Sequence, residues 1–546
     1  LARTGLGTLR SGLLRADSTT RSPRRLSSGL VALAALYAGS VTLALLSASG
    51  VQAQTAAAVA PASVPEPEQV EVPDAQYRAV ATATRVPRTP TFRRSSSLAA
   101  APWSQGVHLR ALGPSGVSRA LVLVDGVPAN DPFGGFVYFR ALPRLGLERI
   151  EVVPSGASAL YGSAALGGVV ELSSRRITST QAQGEAAYGS FGTVQLGLRT
   201  AQRLSHGGAA LEAHLLTSEG YPVVAPEQRG PIDGAAPSIH GALHGTIELE
   251  PTERLTFRTA LSLFSEDQRG GTRFTTAGAT LSRFVLGARY DMRAAGQLEL
   301  TVFGGAQRFE QQRARVAPGR GSEELAARQD VPSLDGGASL LWRSQSLSLA
   351  GRHLLVTGAD ARAVRGTARE QLFPPMLTDA SMVRRDAGGQ QWLAGAFFED
   401  IYEPTSWLQL DAALRLDGVF NSHGKRLRER ASGERQVERF DASSDTALSP
   451  RLGVLVRPHS MLRLRGSVYR AFRAPTLGEL YRPFQVGTIL TAANEQLRPE
   501  RLLGAEAGVE LEPVKPVLLR ATAFINHLDD PVTNRTLPEP LPDGSM

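Results

Sequence analysis

The amino-acid sequence predicts a mainly β protein, in which a small αβ domain precedes a large antiparallel transmembrane β-barrel. The length of 546 residues, with 55 glycines, exceeds what one ordinary globular core can organise. Residues 98–177 contain short strand patterns and one helical turn, whereas the segments after Arg176 repeat an alternation of apolar and polar residues. Such alternation, broken by Gly, Pro, Asp and Ser clusters, is typical of strands with one face towards lipid and one towards a polar lumen.

Residues 1–53 have the layout of a secretory signal peptide. A basic region is followed by an apolar stretch over residues 30–46 and by a small-residue site at residues 51–53. A transmembrane anchor is the alternative, since about 20 apolar residues can span a bilayer as a helix. The Gly, Ser and Ala content and the polar sequel favour cleavage after Ala53.

Residues 54–97 are predicted to be a flexible periplasmic linker, because their Ala, Pro, Val, Glu and Gln composition has no periodic apolar face. Within the linker, the stretch VATATR is β-prone and suited to adding a strand to the sheet edge of a partner. An ordinary piece of linker is the alternative interpretation. The residues of this stretch are Val80, Ala81, Thr82, Ala83, Thr84 and Arg85.

The net charge of +8 does not indicate a nucleic-acid-binding protein. Residues 1–53 hold six arginines against one acid, and so carry most of that charge. The only lysines are Lys425 and Lys515, and the other arginines are scattered among acids instead of forming a basic face. The absence of cysteine excludes disulfide scaffolds and thiolate metal sites.

Three strands and one helical turn are predicted in the αβ domain. An Asp-Gly pair ends the first strand in a tight turn, and a glycine closes the helical turn. In order, these elements are strand Ala120–Val124, turn Asp125–Gly126, exit Val127–Pro128, strand Ile150–Val153, helical turn Ser158–Tyr161 with Gly162, the pair Gly167–Gly168, and strand Val169–Leu172.

Residues 178–546 are predicted to form the barrel. In the stretch LQLDAALRLD, residues 408–417, the apolar and polar positions alternate as a membrane strand requires. One strand with its loop takes about 22 residues, so this region supplies about 16 strands. A soluble β-sandwich also alternates, but it would not continue for about 370 residues.

Four motifs in register, LVDGVP, NDPFGG, ERIEVV and ALYGSAALGGVVEL, resemble the plug domain of TonB-dependent outer-membrane receptors. The later stretches FRAP, ELY and LRPE resemble late barrel strands of the same family. The resemblance implies a plug inside the lumen of a 22-stranded barrel. The plug motif residues that it singles out are Arg110, Asp125, Gly126, Glu151, Tyr161, Gly162, Gly167 and Gly168.

The resemblance also implies a function in the cell outer membrane. A receptor of this family binds a small molecule outside the cell, here a ferric siderophore or otherwise cobalamin or a glycan. It imports the ligand when a TonB-type energy-transducing protein in the periplasm pulls on the plug, and VATATR resembles the TonB box that this partner binds. We expect a monomer in outer-membrane lipid, with no cofactor. A passive porin or a surface adhesin on the same barrel is the alternative.

Two departures from the family suggest an incomplete protein. Only residues 86–90 separate VATATR from a segment that the family places about forty residues later, so the early plug is expected to be missing. About 16 strands also fall short of 22, so we expect the last strands to be missing and the barrel to be unclosed. Open sheet edges in lipid leave backbone groups unpaired at a cost of several kcal/mol each.

The family pairs plug arginines with barrel glutamates, and the resemblance places Arg110, Glu479 and Glu506 in this plug–barrel lock. The position of the second family arginine holds Pro154 in this sequence. One arginine would then face two carboxylates, and one carboxylate would take up a proton or recruit another partner such as Arg144.

We expect no catalytic and no metal site. His240 and His244 have a spacing that suits metal ligands on a helix, but their segment reads as a strand, where four residues span about 13 Å. No GxSxG elbow, phosphate-binding loop or paired acid and base is present. The sequence therefore does not predict an enzyme.

Overall fold

The computed structural model describes residues 106–110, 112, 117–373, 382–486, 489–514 and 517–534. The predicted signal peptide, the linker with residues 80–85 and the first residues of the plug lie outside this part of the chain. Among the described residues, no helix combines the length and hydropathy needed to cross a bilayer.

The plug contains a four-stranded sheet and, beside it, the predicted single turn of helix. The bounds are β1 Ala120–Val124, β2 Val127–Pro128, β3 Leu147–Val153, α1 Ser158–Tyr161 and β4 Gly168–Ser174. The strand order in the sheet is β2-β1-β4-β3. Strand β1 runs parallel to β4, and the other two pairings are antiparallel.

Backbone conformation explains the glycines of the plug motif. Asp125 and Gly126 both have positive φ, 51° and 77°, as a two-residue hairpin turn between β1 and β2 requires. Gly162 closes α1 at φ 68°. At Gly168, a Cβ would lie 2.1 Å from the carbonyl oxygen of Val153, so the close approach of β3 and β4 requires glycine there.

Among the described residues, the barrel contains seventeen strands in ring order, and each full-length strand is antiparallel to the full-length strand that follows it in the chain. The bounds are β5 Gln181–Gly189, β6 Thr193–Leu204, β7 Gly207–Ser218, β8 Ser238–Thr252, β9 Leu255–Arg269, β10 Thr276–Asp291, β11 Gln297–Val316, β12 Glu323–Arg343, β13 Leu347–Ser348, β14 Arg352–Leu372, β15 Val383–Thr405, β16 Leu408–Arg430, β17 Arg435–Arg439, β18 Ser443–His459, β19 Leu462–Arg473, β22 Glu500–Val514 and β23 Val517–Asp529. Of these, β13 and β17 are short additions to the hairpins. The number of strands agrees with the predicted sixteen.

The strand faces are inverted relative to a soluble protein. In β16, Leu414 and Leu416 are 50% and 59% exposed, whereas Arg415 and Asp417 are buried. The apolar residues therefore form an outer surface suited to lipid, and the polar residues point inward against the plug. The predicted alternation is confirmed.

Short and long connections alternate around the barrel. Only Glu253 and Arg254 separate β8 from β9, whereas residues 219–237 separate β7 from β8. Short turns face the periplasm and longer loops face the exterior in barrels of this kind. The long connection between β19 and β22 contains the helix α2, Leu477–Tyr481, and the hairpin of β20, Phe484–Val486, with β21, Ile489–Thr491.

The helix α2 folds inward onto the plug. Leu477 and Leu480 are fully buried in one apolar cluster with Phe133 of the plug. The amide of Gly478 donates a hydrogen bond of 3.0 Å to the carbonyl oxygen of Phe133. A connection on the extracellular side therefore contacts the plug directly.

The ring order is closed, with β23 next to β5, so the expectation of an unclosed barrel is wrong for this chain. These two strands nevertheless differ from the rest of the wall. Each pairs in extended register with its neighbour in the chain, β5 with β6 and β23 with β22. Both are exposed along most of their length, and Tyr188 and Ile525 reach 82% and 72% exposure. The junction of β23 with β5 is the least enclosed part of the wall.

We expect the backbone amides of β5 and β23 to exchange with deuterium before those of the opposite wall, because exposed and weakly packed elements open at the lowest free energy. Strands β10 and β11 serve as the internal control. They are paired along their length, from Asp291 opposite Gln297 to Thr276 opposite Gln312. Hydrogen exchange of the protein in detergent micelles, followed by mass spectrometry, measures the difference. Equal protection of the two regions would contradict a weak junction.

Candidate functional site

The plug and the barrel are joined by a chain of four charged side chains, three of them buried and one, Glu479, half-buried. The Arg119 guanidinium of the plug donates to the carboxylate of Glu500, with an Nη2–Oε1 distance of 2.6 Å. The same carboxylate accepts from Arg473, which also binds Glu479 in a bidentate pair of 2.9 and 3.0 Å. Two cations face two anions, so the network is neutral. We call these four residues the central network.

Local structure explains why the three barrel residues meet. Arg473 ends β19 and Glu500 begins β22, and the two residues are directly paired across the strands. Glu479 is the third residue of α2, where it forms a capping box with Thr476 and so is held in place by the helix start. Arg119 directly precedes β1, so its position depends on the plug sheet.

Burial makes the central network costly to break. Glu500 is 0% exposed, and Arg473 and Arg119 are 2% and 4% exposed. A charge taken out of water is tolerated only when it is paired, and removing one partner of a buried pair typically costs about 3–5 kcal/mol. The central network therefore provides both attachment and a fixed position for the plug.

The predicted lock residue Arg110 lies within ion-pair distance of Glu506, at 3.1 Å. Its Nε donates to the carbonyl oxygen of Pro154 at 2.7 Å, and its guanidinium lies 4.6 Å from the ring centroid of Phe524. The expected contact with one of the two glutamates is thus present. The proline that replaces the second family arginine contributes its backbone oxygen instead of a cation.

Glu479 and Arg144 have other partners than Arg110 and the lock glutamates. Glu479 does not contact Arg110, because Arg473 of the same barrel segment already neutralises it. Arg144 is not recruited, because it pairs with Glu185 at 3.1 Å. The expected deficit of one arginine against two carboxylates does not occur, since each glutamate has its own cation. The other partner that the sequence led us to expect for one carboxylate is therefore Arg473 of the barrel, and not Arg144, which was the example given.

A second attachment uses plug backbone instead of side chains. Three consecutive amides, those of Arg144, Leu145 and Gly146, donate to the carboxylate of Glu212 at 2.7, 3.0 and 2.6 Å. A Cβ on Gly146 would lie 2.6 Å from a Glu212 oxygen, so glycine permits this approach. Sequence analysis missed this site, because backbone donors leave no signal in residue identity.

The NDPFGG segment forms a tight loop around a buried carboxylate. Asp131 accepts from the amides of Phe133, at 2.9 Å, and Gly134, and also from Gln307 of β11. Burial raises the pKa of Asp131 to about 6, although these hydrogen bonds act in the opposite direction. The loop therefore joins the plug to the barrel through a group that titrates in a mildly acidic range.

The remaining motif residues have structural contacts in the plug. Asp125 accepts from Ser174 at 2.8 Å and pairs with Arg258 of β9 at 3.1 Å. Glu151 pairs with a neighbouring arginine of β3 at 3.2 Å. The amide of Gly167 donates to the carbonyl oxygen of Arg119 at 2.6 Å. Tyr161 packs against the apolar cluster beneath α1.

A cavity of about 920 Å³ lies between the plug and the barrel wall. Its lining includes Asp125 of the plug and Arg258, Arg283, Asp360 and Arg343 of strands β9 to β14. Charged side chains keep this space compatible with water. The plug therefore fills the lumen without sealing it against one side of the wall.

The two histidines of the predicted strand do lie in β8. His214 of β7 lies between them, with ring-centroid distances of 6.1 Å to His240 and 6.2 Å to His244. Within the described ranges, no group of three or more His, Asp or Glu side chains is arranged to hold a metal ion.

Comparisons with known proteins agree with this architecture. A family model for "TonB dependent receptor-like, beta-barrel" matches residues 235–545, and a model for "TonB-dependent Receptor Plug Domain" matches residues 60–169. The vitamin B12 transporter BtuB of Photobacterium profundum is 38% identical over 93 residues, which are 16% of this chain and 15% of that protein. The vitamin B12 transporter BtuB of Vibrio vulnificus is 31% identical over 116 residues, or 20% and 18% of the two chains.

Solved structures with a similar fold include two receptors. The ferric-catecholate import receptor Fiu from E. coli K12, in its closed form, has a TM-score of 0.63 at 13% identity, over 82% of this chain and 70% of that chain. The siderophore receptor PirA from Acinetobacter baumannii has a TM-score of 0.56 at 17% identity, over 79% and 66%. This chain thus spans about two thirds of their length, and the likeness concerns the fold.

The central network predicts a large effect of Arg119→Met. This substitution removes one of the two cations that pair with Glu500, whose side chain is 0% exposed. Plug attachment should therefore weaken by about 3–5 kcal/mol. Because the chain lacks cysteine, a single fluorophore at Glu148→Cys, an exposed plug position, can report urea-induced plug release. The matched control is Arg149→Met, which breaks a half-exposed pair with Glu151 and should cost at most about 1 kcal/mol. Equal shifts for both variants would remove the special role of the network.

Asp131 predicts a pH dependence of plug attachment. Its pKa is about 6 in the folded protein against 3.8 unfolded, so the folded state binds more protons between these values. The contribution of Asp131 to stability should therefore fall as pH rises from about 4 to about 6 and stay constant above that range. Asp131→Asn should flatten this slope and stabilise the plug at pH 7, whereas Glu148→Gln, at an exposed position, should preserve the slope. A parental slope that survives in Asp131→Asn would assign it to another group.

Proposed function

Because the chain belongs to the TonB-dependent receptor family, with the barrel model matching more than half of it, we propose that it imports an extracellular small molecule by energy-coupled movement of the plug. The family consists of outer-membrane transport receptors and not of enzymes. In this proposal, a TonB-type protein in the periplasm binds residues 80–85, and the receptor acts as a monomer in outer-membrane lipid.

The character of the plug attachment carries the proposal. Arg119, Arg110 and the amides at residues 144–146 attach the plug through charged and polar contacts with Glu500, Glu506 and Glu212. Polar groups of this kind can exchange their protein partners for water, which partly compensates for their loss when a pulled plug leaves the wall. The apolar contacts of Leu160 and Leu166 with the wall have to be broken by the pulling force. The cavity of about 920 Å³ beside the plug supplies space for this movement.

The relatives favour a ferric siderophore as the ligand class. The solved structures of similar fold include a siderophore receptor and a ferric-catecholate import receptor, and the sequence relatives include a vitamin B12 transporter. We therefore propose a ferric siderophore first, and cobalamin or a glycan otherwise. A passive porin on the same barrel would have no use for a plug that α2 and the central network hold in place.

Uptake of a radiolabelled ferric siderophore, measured with and without a protonophore, tests the coupling. We expect uptake to stop when the proton-motive force collapses, and Thr82→Pro should abolish uptake but leave ligand binding intact. Proline removes a backbone donor and so prevents strand addition by residues 80–85. Thr82→Val, which keeps the extended preference, is the control and should retain uptake. Continued uptake under the protonophore would indicate a passive porin.

A further inference from the structure

A group of arginines surrounds one carboxylate on the extracellular side of the lumen. Its members lie near the ends of strands whose connections are the longer loops: Arg313 on β11, Glu370 on β14, Arg385 on β15 and Arg428 on β16. Arg482, which directly follows α2, completes the group. We call these five residues the upper cluster.

The upper cluster carries an excess of positive charge. Glu370 is its only acid, and it accepts from Arg385 at 2.8 Å and from Arg482 at 2.9 Å. The guanidinium of Arg313 lies close enough to Glu370, Arg385 and Arg482 to interact with all three, and Arg428 acts on Arg385 in the same way. Four cations thus share one anion, whereas the central network pairs two with two.

Two nearby acids do not correct this imbalance, because each has its own arginine. Asp386 binds Arg384 at 2.8 Å, and Glu438 binds Arg426 at 2.8 Å. Like charges held close together in a partly buried group repel each other, and an anion that joins the group relieves this repulsion. The upper cluster therefore has too little negative charge to balance its arginines.

Unused hydrogen-bond donors point to the same conclusion. The Nε atoms of Arg385 and Arg428 and the Nη2 atom of Arg426 are buried and have no acceptor among the described residues. Arg385 itself is 8% exposed. A buried donor without an acceptor costs about 1–3 kcal/mol, and more when it is charged. Guanidinium groups match the planar or tetrahedral oxygens of carboxylates, phosphates and catecholates.

The upper cluster is also connected to the plug. Arg482 directly follows α2, and α2 contacts Phe133 of the plug through Gly478 and Leu477. Tyr481 of α2 stacks on Phe440 at a centroid distance of 5.6 Å, and Arg426 lies over the same Phe440 ring at 5.1 Å. A group bound by Arg482 therefore lies one helical turn away from the plug.

We propose that the upper cluster is a binding site for an oxyanion-bearing ligand that enters from outside with two or more negative charges. The inference rests on the proposed function and narrows its ligand class to anionic molecules. The ligand oxygens accept hydrogen bonds from the unused guanidinium donors of Arg385 and Arg428. They also compete with Glu370 for the positive charge of Arg313. Uncharged ligands gain none of these contacts.

Equilibrium binding to the purified full chain in detergent micelles tests the site, with ferric citrate and inorganic phosphate as anionic probes and a neutral ferric trihydroxamate as the uncharged probe. Arg313→Gln and Arg385→Gln should each weaken ferric citrate binding about tenfold, the equivalent of one charged hydrogen bond. Glu370→Gln should strengthen binding several-fold, because it removes the competing carboxylate. The control Arg308→Gln, on β11 but 54% exposed and paired with Asp330, should have no effect.

Glu370→Gln separates a ligand site from a merely structural cluster. If the arginines served only to neutralise Glu370, this variant would unfold more easily and bind ferric citrate no better. That result would overturn the inference. The inference would also be wrong if Arg313→Gln and Arg385→Gln remained folded and bound both anions as tightly as the parent protein. If the protein imported only the neutral trihydroxamate, and did so in an energy-coupled way, the inference would be wrong but the proposed function would stand. The binding assay requires no energy source, so it tests the upper cluster separately from coupled uptake.

Discussion

Neutralisation of charge inside the lumen is the constraint on which the rest of the structure depends. Lipid-facing residues take the outer side of every strand, so the polar half of each strand must find partners inside. At the central network this demand is met with almost no exposure, because Glu500 and Arg473 are shielded completely or nearly so. The start of β1, the end of β19, the start of β22 and the start of α2 therefore have to meet at one place.

The same constraint explains how the plug is held in the lumen. Its own sheet has an apolar core around Leu121, Leu123 and Val169, which lets it persist as a unit. Its contacts with the wall are partly ionic or use backbone amides, as at Glu212 and Glu506. Other contacts with the wall are apolar and buried, and they place Leu160 against Phe397 and Leu166 against Tyr469.

The two charged groups of the lumen differ in a way that fits different roles. The central network balances its charges and has every carboxylate paired, as a structural attachment requires. The upper cluster sets four arginines against Glu370 and leaves buried donors unused. The two groups lie close together, because Glu479 of α2 belongs to the central network and Arg482, the residue after α2, belongs to the upper cluster.

The sequence by itself determined the barrel strands as a class, the main plug elements and the lumen-facing side of strands such as β16, because alternation and turn residues are local signals. The Asp125-Gly126 turn and α1 are examples, and so is the meeting of Arg110 with a barrel glutamate, which the family resemblance implied. Only the tertiary structure decided the partners of Arg119, Glu479 and Glu212. Arg473 and Glu500 stand in recognisable motifs, but nothing local shows that they pair with each other or with Arg119. Arg119 and Glu500 are 381 positions apart in the chain. An ion pair over that separation depends on ring closure and strand register, and these leave no periodic trace in the residues themselves.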